Sequence, residues 1–91
     1  MRAIERTSRF KRDYKREKKT DPGLDEELRA LIELLATNRP LPERLRDHGL
    51  SGDWLGFRDC HVRPDLVLVY ARRDTKTLML VRLGSHSELF E

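Results

Sequence analysis

The chain has 91 residues, of which 38% are charged and 37% hydrophobic, with a net charge of +3 and one cysteine. This length predicts a single domain over residues 1–91, and the lone Cys60 excludes an internal disulfide and favours a small buried residue. No apolar run approaches the roughly 18 residues of a membrane span, and the charged start lacks a signal peptide's apolar segment. We therefore expect a cytoplasmic protein without membrane contact.

A short strand and a basic helix are predicted at the start of the chain. The strand covers residues 2–7, and the hydroxyl of Thr7 or Ser8 can then cap a helix by accepting from a first-turn N–H. Phe10 and Tyr14 lie four residues apart on that helix, a spacing that places them on one buried face.

The basic charge is concentrated in the first 19 residues, which include this first helix. Residues 1–19 carry nine basic and three acidic side chains, whereas residues 20–36 carry five acidic and one basic. Two interpretations stay open: a solvated helix face whose long side chains cover a small core, or a surface that binds RNA phosphates. The second predicts RNA contacts for Lys11, Arg12, Lys15, Lys18 and Lys19.

A second helix is predicted after Asp21 and Pro22, which supply a capping carboxylate and a proline suited to the first helical position. It should end near Asn38. Five apolar residues follow the spacing of one helical stripe: Leu24, Leu28, Leu31, Ile32 and Leu35.

The second half of the chain predicts three strands after a loop over residues 40–53. The strands cover residues 54–62, 66–70 (LVLVY) and 78–81 (LMLV), and a short turn over residues 87–90 follows. Strand, helix, helix and three strands make an α+β domain, with the helices on one face of a mostly antiparallel sheet. The other sheet face is then free to bind a partner.

The candidate catalytic residues are three histidines, each beside a turn or a strand end: His48, His61 and His86. Gaps of 13 and 25 residues between them lack the short spacing typical of zinc sites, so we expect neither a metal nor another cofactor. Asp65 is an acidic group at a strand end whose alternative role is that of a turn residue after proline.

Histidine suits RNA cleavage by the RNA's own 2′-hydroxyl, because its pKa near neutrality serves both a base and an acid. Arg82 is a candidate to stabilise the crowded phosphorane, with a surface charge as its alternative role. Trp54 is expected in the core. Phe90 either docks into the core or stacks on a splayed RNA base.

Two long motifs resemble the YafQ-type toxins of the RelE/ParE toxin–antitoxin superfamily. They are DHGLSGDWLGFRDCHVRPDLVLVY over residues 47–70, with Pro40-Leu41-Pro42 ahead of it, and RLGSHSELF over residues 82–90. The strand–helix–helix order upstream is similar too, so the resemblance covers nearly the whole chain.

The resemblance implies a ribosome-dependent endoribonuclease that cuts mRNA in the A site and is held inactive by a cognate antitoxin. Its expected partners are therefore the antitoxin, the 70S ribosome and mRNA. The family's functional residues fall on this chain's three histidines, on Asp65 and Arg82, and on Phe90 as the aromatic residue that positions mRNA. His86 is expected as the acid and Asp65 or His48 as the base, with His61 orienting the phosphate or its partner.

Two other classes of protein stay open. A non-catalytic module could block translation by occupying the ribosome, since each of these residues can bind RNA without cutting it. A gyrase inhibitor of the ParE kind shares the implied fold, but the histidine set argues against it.

Overall fold

The computed structural model describes residues 2–90, which form one five-stranded sheet and three helices. The strands are β1 (Ala3–Arg6), β2 (His48–Gly49), β3 (Arg58–Arg63), β4 (Leu66–Arg72) and β5 (Thr77–Gly84). The helices are α1 (Ser8–Thr20), α2 (Leu24–Ala36) and α3 (His86–Phe90). The strand order is β1-β5-β4-β3-β2, with β1 parallel to β5 and the other pairs antiparallel. The predicted α+β class is confirmed.

The main core lies between the sheet and the helices α1 and α2. Thr7 caps α1 as predicted, because its Oγ1 accepts from the Phe10 N–H at 2.9 Å. Phe10 is buried and stacks on Tyr14 with ring centroids 6.2 Å apart. The apolar stripe of α2 faces alternate side chains of β4, among them Leu68 and Tyr70.

Within residues 2–90, no helix has the length and apolar character needed to cross a membrane.

Several predicted boundaries are wrong, and the last two strands run longer than predicted, to Arg72 and Gly84. The helix α2 begins at Leu24, after Gly23, while the Asp21 carboxylate accepts from the Gly23 N–H and pairs with Arg63. The predicted loop holds the strand β2 and a 3₁₀ turn, Glu43–Leu45. A second 3₁₀ turn, Gly52–Trp54, delays the next strand to Arg58, since two glycines with φ of +64° and +95° turn the chain there.

The sheet face opposite α1 and α2, called the far face below, is only partly free. Val67 and Val69 of β4 are fully buried on it. The side chains that pack over them come from the loop before β3 and from the C-terminal segment: Leu50, Trp54, Phe57, Leu89 and Phe90. The expectation of an open face is therefore corrected: the far face is covered at its centre, as the unbroken LVLVY run itself indicates.

Candidate functional site

The three predicted histidines come together on the far face. Cys60 is buried in the core on the helix side, so its neighbours Asp59 and His61 project from the opposite face of β3. The register places His48 of β2 directly beside Asp59. His86 is the first residue of α3, and its ring lies 6.0 Å from that of His61 between centroids.

A buried carboxylate, Asp59, lies beneath this group and was not predicted. Its exposed fraction is 0%, and neither carboxylate oxygen has a hydrogen bond of good geometry to another described residue. His48 Nδ1 lies 3.0 Å from Asp59 Oδ1. Burial raises the pKa of Asp59, and the nearby histidines oppose that rise only in part. The site therefore holds a carboxyl group whose charge is poorly satisfied until a histidine takes up a proton.

The His48 ring is held in one tautomer. Its Nδ1 lies 2.9 Å from the carbonyl oxygen of Arg46. A carbonyl only accepts, so Nδ1 donates the hydrogen and the neutral ring keeps a bare Nε2. The side chain is 52% exposed. This arrangement suits a general base that takes a proton through Nε2.

A polar network behind β2 places His48 against its partner. The Asp47 carboxylate accepts from Arg58 Nη2 at 2.9 Å, from Arg58 Nε at 3.3 Å and from the Tyr70 hydroxyl. Burial alone raises the pKa of Asp47, but these hydrogen bonds outweigh it and the pKa is lowered. Because Asp47 is anchored to β3 and β4, the next residue, His48, is held over Asp59.

The helix α3 presents His86 and Phe90. Ser85 and Glu88 form a capping box, since the Glu88 N–H donates to Ser85 Oγ at 3.2 Å and the Ser85 N–H to Glu88 Oε1 at 3.0 Å. The Phe90 ring lies 5.0 Å from His86 and packs edge-to-face on Trp54 at 5.6 Å. The predicted terminal turn is therefore a helix, which the S-x-x-E spacing in the sequence could have indicated. Trp54 is half-buried in the far-face cluster.

The Arg82 side chain is mostly buried, and its charge is paired. It is 15% exposed, and it donates to the buried Asp13 of α1 from Nε at 2.8 Å and from Nη2 at 3.3 Å. The Leu83 N–H also donates to Asp13, at 3.0 Å. Burial raises the pKa of Asp13, but these donors and the positive charges outweigh it and the pKa is lowered. Within residues 2–90, only Nη1 of the Arg82 guanidinium lacks a hydrogen-bond partner.

Asp65 forms no hydrogen bond or ion pair with the histidine group, and the basic side chains of α1 lie on the other face of the sheet. Asp65 is exposed in the turn between β3 and β4, and it makes no hydrogen bond or ion pair with another described side chain. The helix α1 packs on the other face of the sheet. Its candidate RNA-binding residues are all exposed there: Lys11, Arg12, Lys15, Lys18 and Lys19.

The donor set gives no metal centre in the part of the chain that the structure describes. Among residues 2–90, no group of three or more histidine, cysteine or acidic side chains is placed to share one ion. Burial raises the pKa of the Cys60 thiol to about 12, so this sulfur stays protonated at neutral pH.

Comparisons with known proteins agree on one family. The family model described as a bacterial toxin of type II toxin–antitoxin system, YafQ, matches residues 2–91. The mRNA interferase toxin YafQ of Escherichia coli K12 is 40% identical over 91 residues, covering 99% of this chain and 97% of that protein.

Two solved structures show the same fold at similar identity. A copper-bound mutant toxin from Helicobacter pylori has a TM-score of 0.93 and 39% identity, over 99% of this chain and 100% of that one. The toxin in the E. coli DinJ–YafQ toxin–antitoxin complex has a TM-score of 0.83 and 37% identity, over 99% of this chain and 98% of that one.

Proposed function

The chain belongs to the YafQ family of toxins from type II toxin–antitoxin systems, and we propose that it cleaves mRNA in the ribosomal A site. Its curated relatives are mRNA interferases, so the activity is that of an endoribonuclease. The proposed chemistry is metal-independent acid–base catalysis with the RNA 2′-hydroxyl as nucleophile. The observation that carries it is the histidine group over the buried Asp59, because it offers an oriented base and a second histidine at one exposed site.

In the first step, His48 Nε2 takes the proton of the 2′-hydroxyl as the 2′-oxygen attacks phosphorus. The Arg46 carbonyl fixes the tautomer. Asp59, 3.0 Å from Nδ1, stabilises the imidazolium that forms. Of the two candidate bases, this geometry favours His48 over Asp65, which has no hydrogen-bond or ion-pair partner in the described residues to orient it.

In the second step, the bond from phosphorus to the 5′-oxygen breaks as His86 gives its proton to that oxygen. The products are a 2′,3′-cyclic phosphate and a 5′-hydroxyl. The His61 ring lies 6.0 Å from that of His86 and orients the phosphate or its partner. Arg82 reaches the phosphorane through Nη1, and Phe90 stacks on a base through the ring surface that Trp54 leaves open.

The ribosome is proposed to position the substrate. His48 and His86 are both exposed on an open surface, which by itself makes few contacts that could hold an RNA strand. The basic face of α1 lies on the other side of the sheet, where it can meet ribosomal RNA phosphates while the histidines act on mRNA. We also propose one domain over residues 1–91, a cytoplasmic location with the ribosome, and inhibition by a cognate antitoxin. The E. coli toxin–antitoxin complex of DinJ and YafQ supports such a partner.

The proposed function is tested by mapping cleavage with and without ribosomes. The purified chain is mixed with a defined mRNA, either free or bound to 70S ribosomes with an open A site, and the new 5′ ends are mapped. We expect discrete cuts within the A-site codon and at least 100-fold slower cleavage of free mRNA. Translation block without new 5′ ends would favour the occupancy mechanism instead.

Replacing the buried carboxylate separates activity from stability. Since burial raises the pKa of Asp59 above its ordinary value of 3.8, ionising it at higher pH destabilises the folded state. Asp59→Asn should therefore be more stable than wild type by on the order of 1 kcal/mol at pH 8, with little difference near pH 4. Cleavage should fall at least tenfold. Urea unfolding at both pH values and single-turnover rates check this, and a loss of both stability and activity would make Asp59 merely structural.

A further inference from the structure

A basic cleft opens beside the histidine group, between the Glu43–Leu45 turn and the end of β3. Its volume is about 450 Å³. The lining side chains are mostly basic or apolar, and none is acidic: Arg44, Leu45, Arg46, His61, Val62, Arg63 and Pro64. Leu45 is buried and Val62 packs on the main core, so the floor of the cleft is a fixed apolar surface.

Two of the three arginines carry charge that no described residue balances. Arg63 is held by Glu27, with both nitrogen–oxygen distances 3.0 Å, and by Asp21. Arg44 and Arg46 are exposed, and neither side chain makes a hydrogen bond or ion pair within residues 2–90. A guanidinium is weakly hydrated and matches the oxygens of a phosphate with two parallel donors. The cleft therefore suits an anion that bears such oxygens.

The cleft is continuous with the proposed catalytic site. His61 lines it and also faces His86 across 6.0 Å. Arg46 lines the cleft, and its carbonyl oxygen contacts the His48 ring. An RNA strand whose scissile phosphate lies among the histidines can therefore place a neighbouring backbone phosphate near Arg44 and Arg46.

We propose that this cleft binds the mRNA phosphodiester next to the one that is cleaved. Arg44 and Arg46 contact its oxygens, and the apolar floor supports the attached ribose or base. The inference rests on the proposed function, since it takes the cleaved strand to be RNA. It adds a second binding point at the end of β3 next to His61, separate from the lysines of α1.

The first test measures binding alone. The probe is a short single-stranded 2′-O-methyl RNA, which lacks the nucleophile, and its dissociation constant is measured from 50 to 300 mM KCl. Losing one phosphate contact on single-stranded RNA should lower the slope of log K against log salt by about 0.7. We expect this loss for Arg44→Ala, whereas the control Arg29→Ala, an exposed arginine on α2, should keep the wild-type slope. Equal slopes for Arg44→Ala and wild type would overturn the proposal whether or not the chain cleaves RNA.

The second test identifies the phosphate. Ribosome-bound mRNAs carry an uncharged methylphosphonate at one linkage on either side of the cleavage point. At one of these positions we expect about fivefold weaker half-saturation for wild type, an unchanged maximal rate, and no further weakening for Arg44→Ala. If the methylphosphonate weakens half-saturation as much in Arg44→Ala as in wild type at both linkages, Arg44 contacts ribosomal RNA and the mRNA assignment is overturned. Loss of all A-site cutting by wild type would instead count against the proposed function.

Discussion

His86→Ala should cleave mRNA on programmed ribosomes about 10²- to 10⁴-fold more slowly than wild type in single turnover, the usual contribution of a general acid. His86 is exposed at the start of α3, and its ring lies 6.0 Å from that of His61. Without its proton, the 5′-oxygen leaves as an alkoxide, a far poorer leaving group. Binding to the ribosome should change little, because the loss concerns the breaking of a bond.

The matched control for this variant is Ser87→Ala, the next exposed residue of α3. It keeps the capping box of Ser85 and Glu88 and should retain the wild-type rate. Both variants should unfold within a few degrees of wild type, since each replaces an exposed side chain. A His86→Ala rate within threefold of wild type would remove His86 from the acid role.

Asp13→Ala should destabilise the fold by about 3–5 kcal/mol, the usual effect of removing one partner of a buried ion pair. Asp13 is 4% exposed and accepts from Arg82 and from the Leu83 N–H. The substitution leaves a nearly buried guanidinium and a buried N–H without an acceptor. For a domain of this size, such a loss lowers the melting temperature by roughly 15–30 °C.

The difference in stability between wild type and Asp13→Ala should depend on pH. The pKa of Asp13 is lowered in the fold from its ordinary 3.8, so its stabilising effect is full above that value and is lost as the pH falls through the lowered pKa. Wild type and Asp13→Ala should therefore differ most at pH 6–7 and converge toward pH 2 in urea unfolding. Arg16→Ala is the control, because Arg16 is 47% exposed and pairs with Asp13 at only 3.5 Å; it should cost about 1 kcal/mol or less. A loss below 1 kcal/mol for Asp13→Ala would contradict the account of this ion pair.

The sequence predicted the elements that carry a strong local signal. The leucine stripe of α2 and the LVLVY strand have clear periods, and Thr7 before α1 has a clear capping role. The strand β2 was missed because two residues, His48–Gly49, have no period. The delayed start of β3 depends on glycines that adopt positive φ, which a list of apolar residues does not show.

The sequence predicted the histidines of the candidate site but not the residues that hold them in place. Asp59 is acidic and sits between Arg58 and Cys60, a pattern typical of an exposed strand residue. Its burial arises only when β2 pairs beside it and α3 packs nearby. Asp13 belongs to a helix whose charges predict a solvated face, and it is buried because it faces the end of β5. Both depend on contacts between residues distant in the chain.

The most direct test of the central claim is the chemistry of the cut ends. Ribosome-bound mRNA is cleaved to completion, and the two new termini are identified by mass spectrometry. Histidine catalysis with the 2′-hydroxyl as nucleophile predicts a 2′,3′-cyclic phosphate, or the phosphate formed when it opens, on the upstream fragment and a 5′-hydroxyl on the downstream one. A 3′-hydroxyl with a 5′-phosphate would mean that water or another external nucleophile attacks phosphorus, and it would contradict the proposed mechanism.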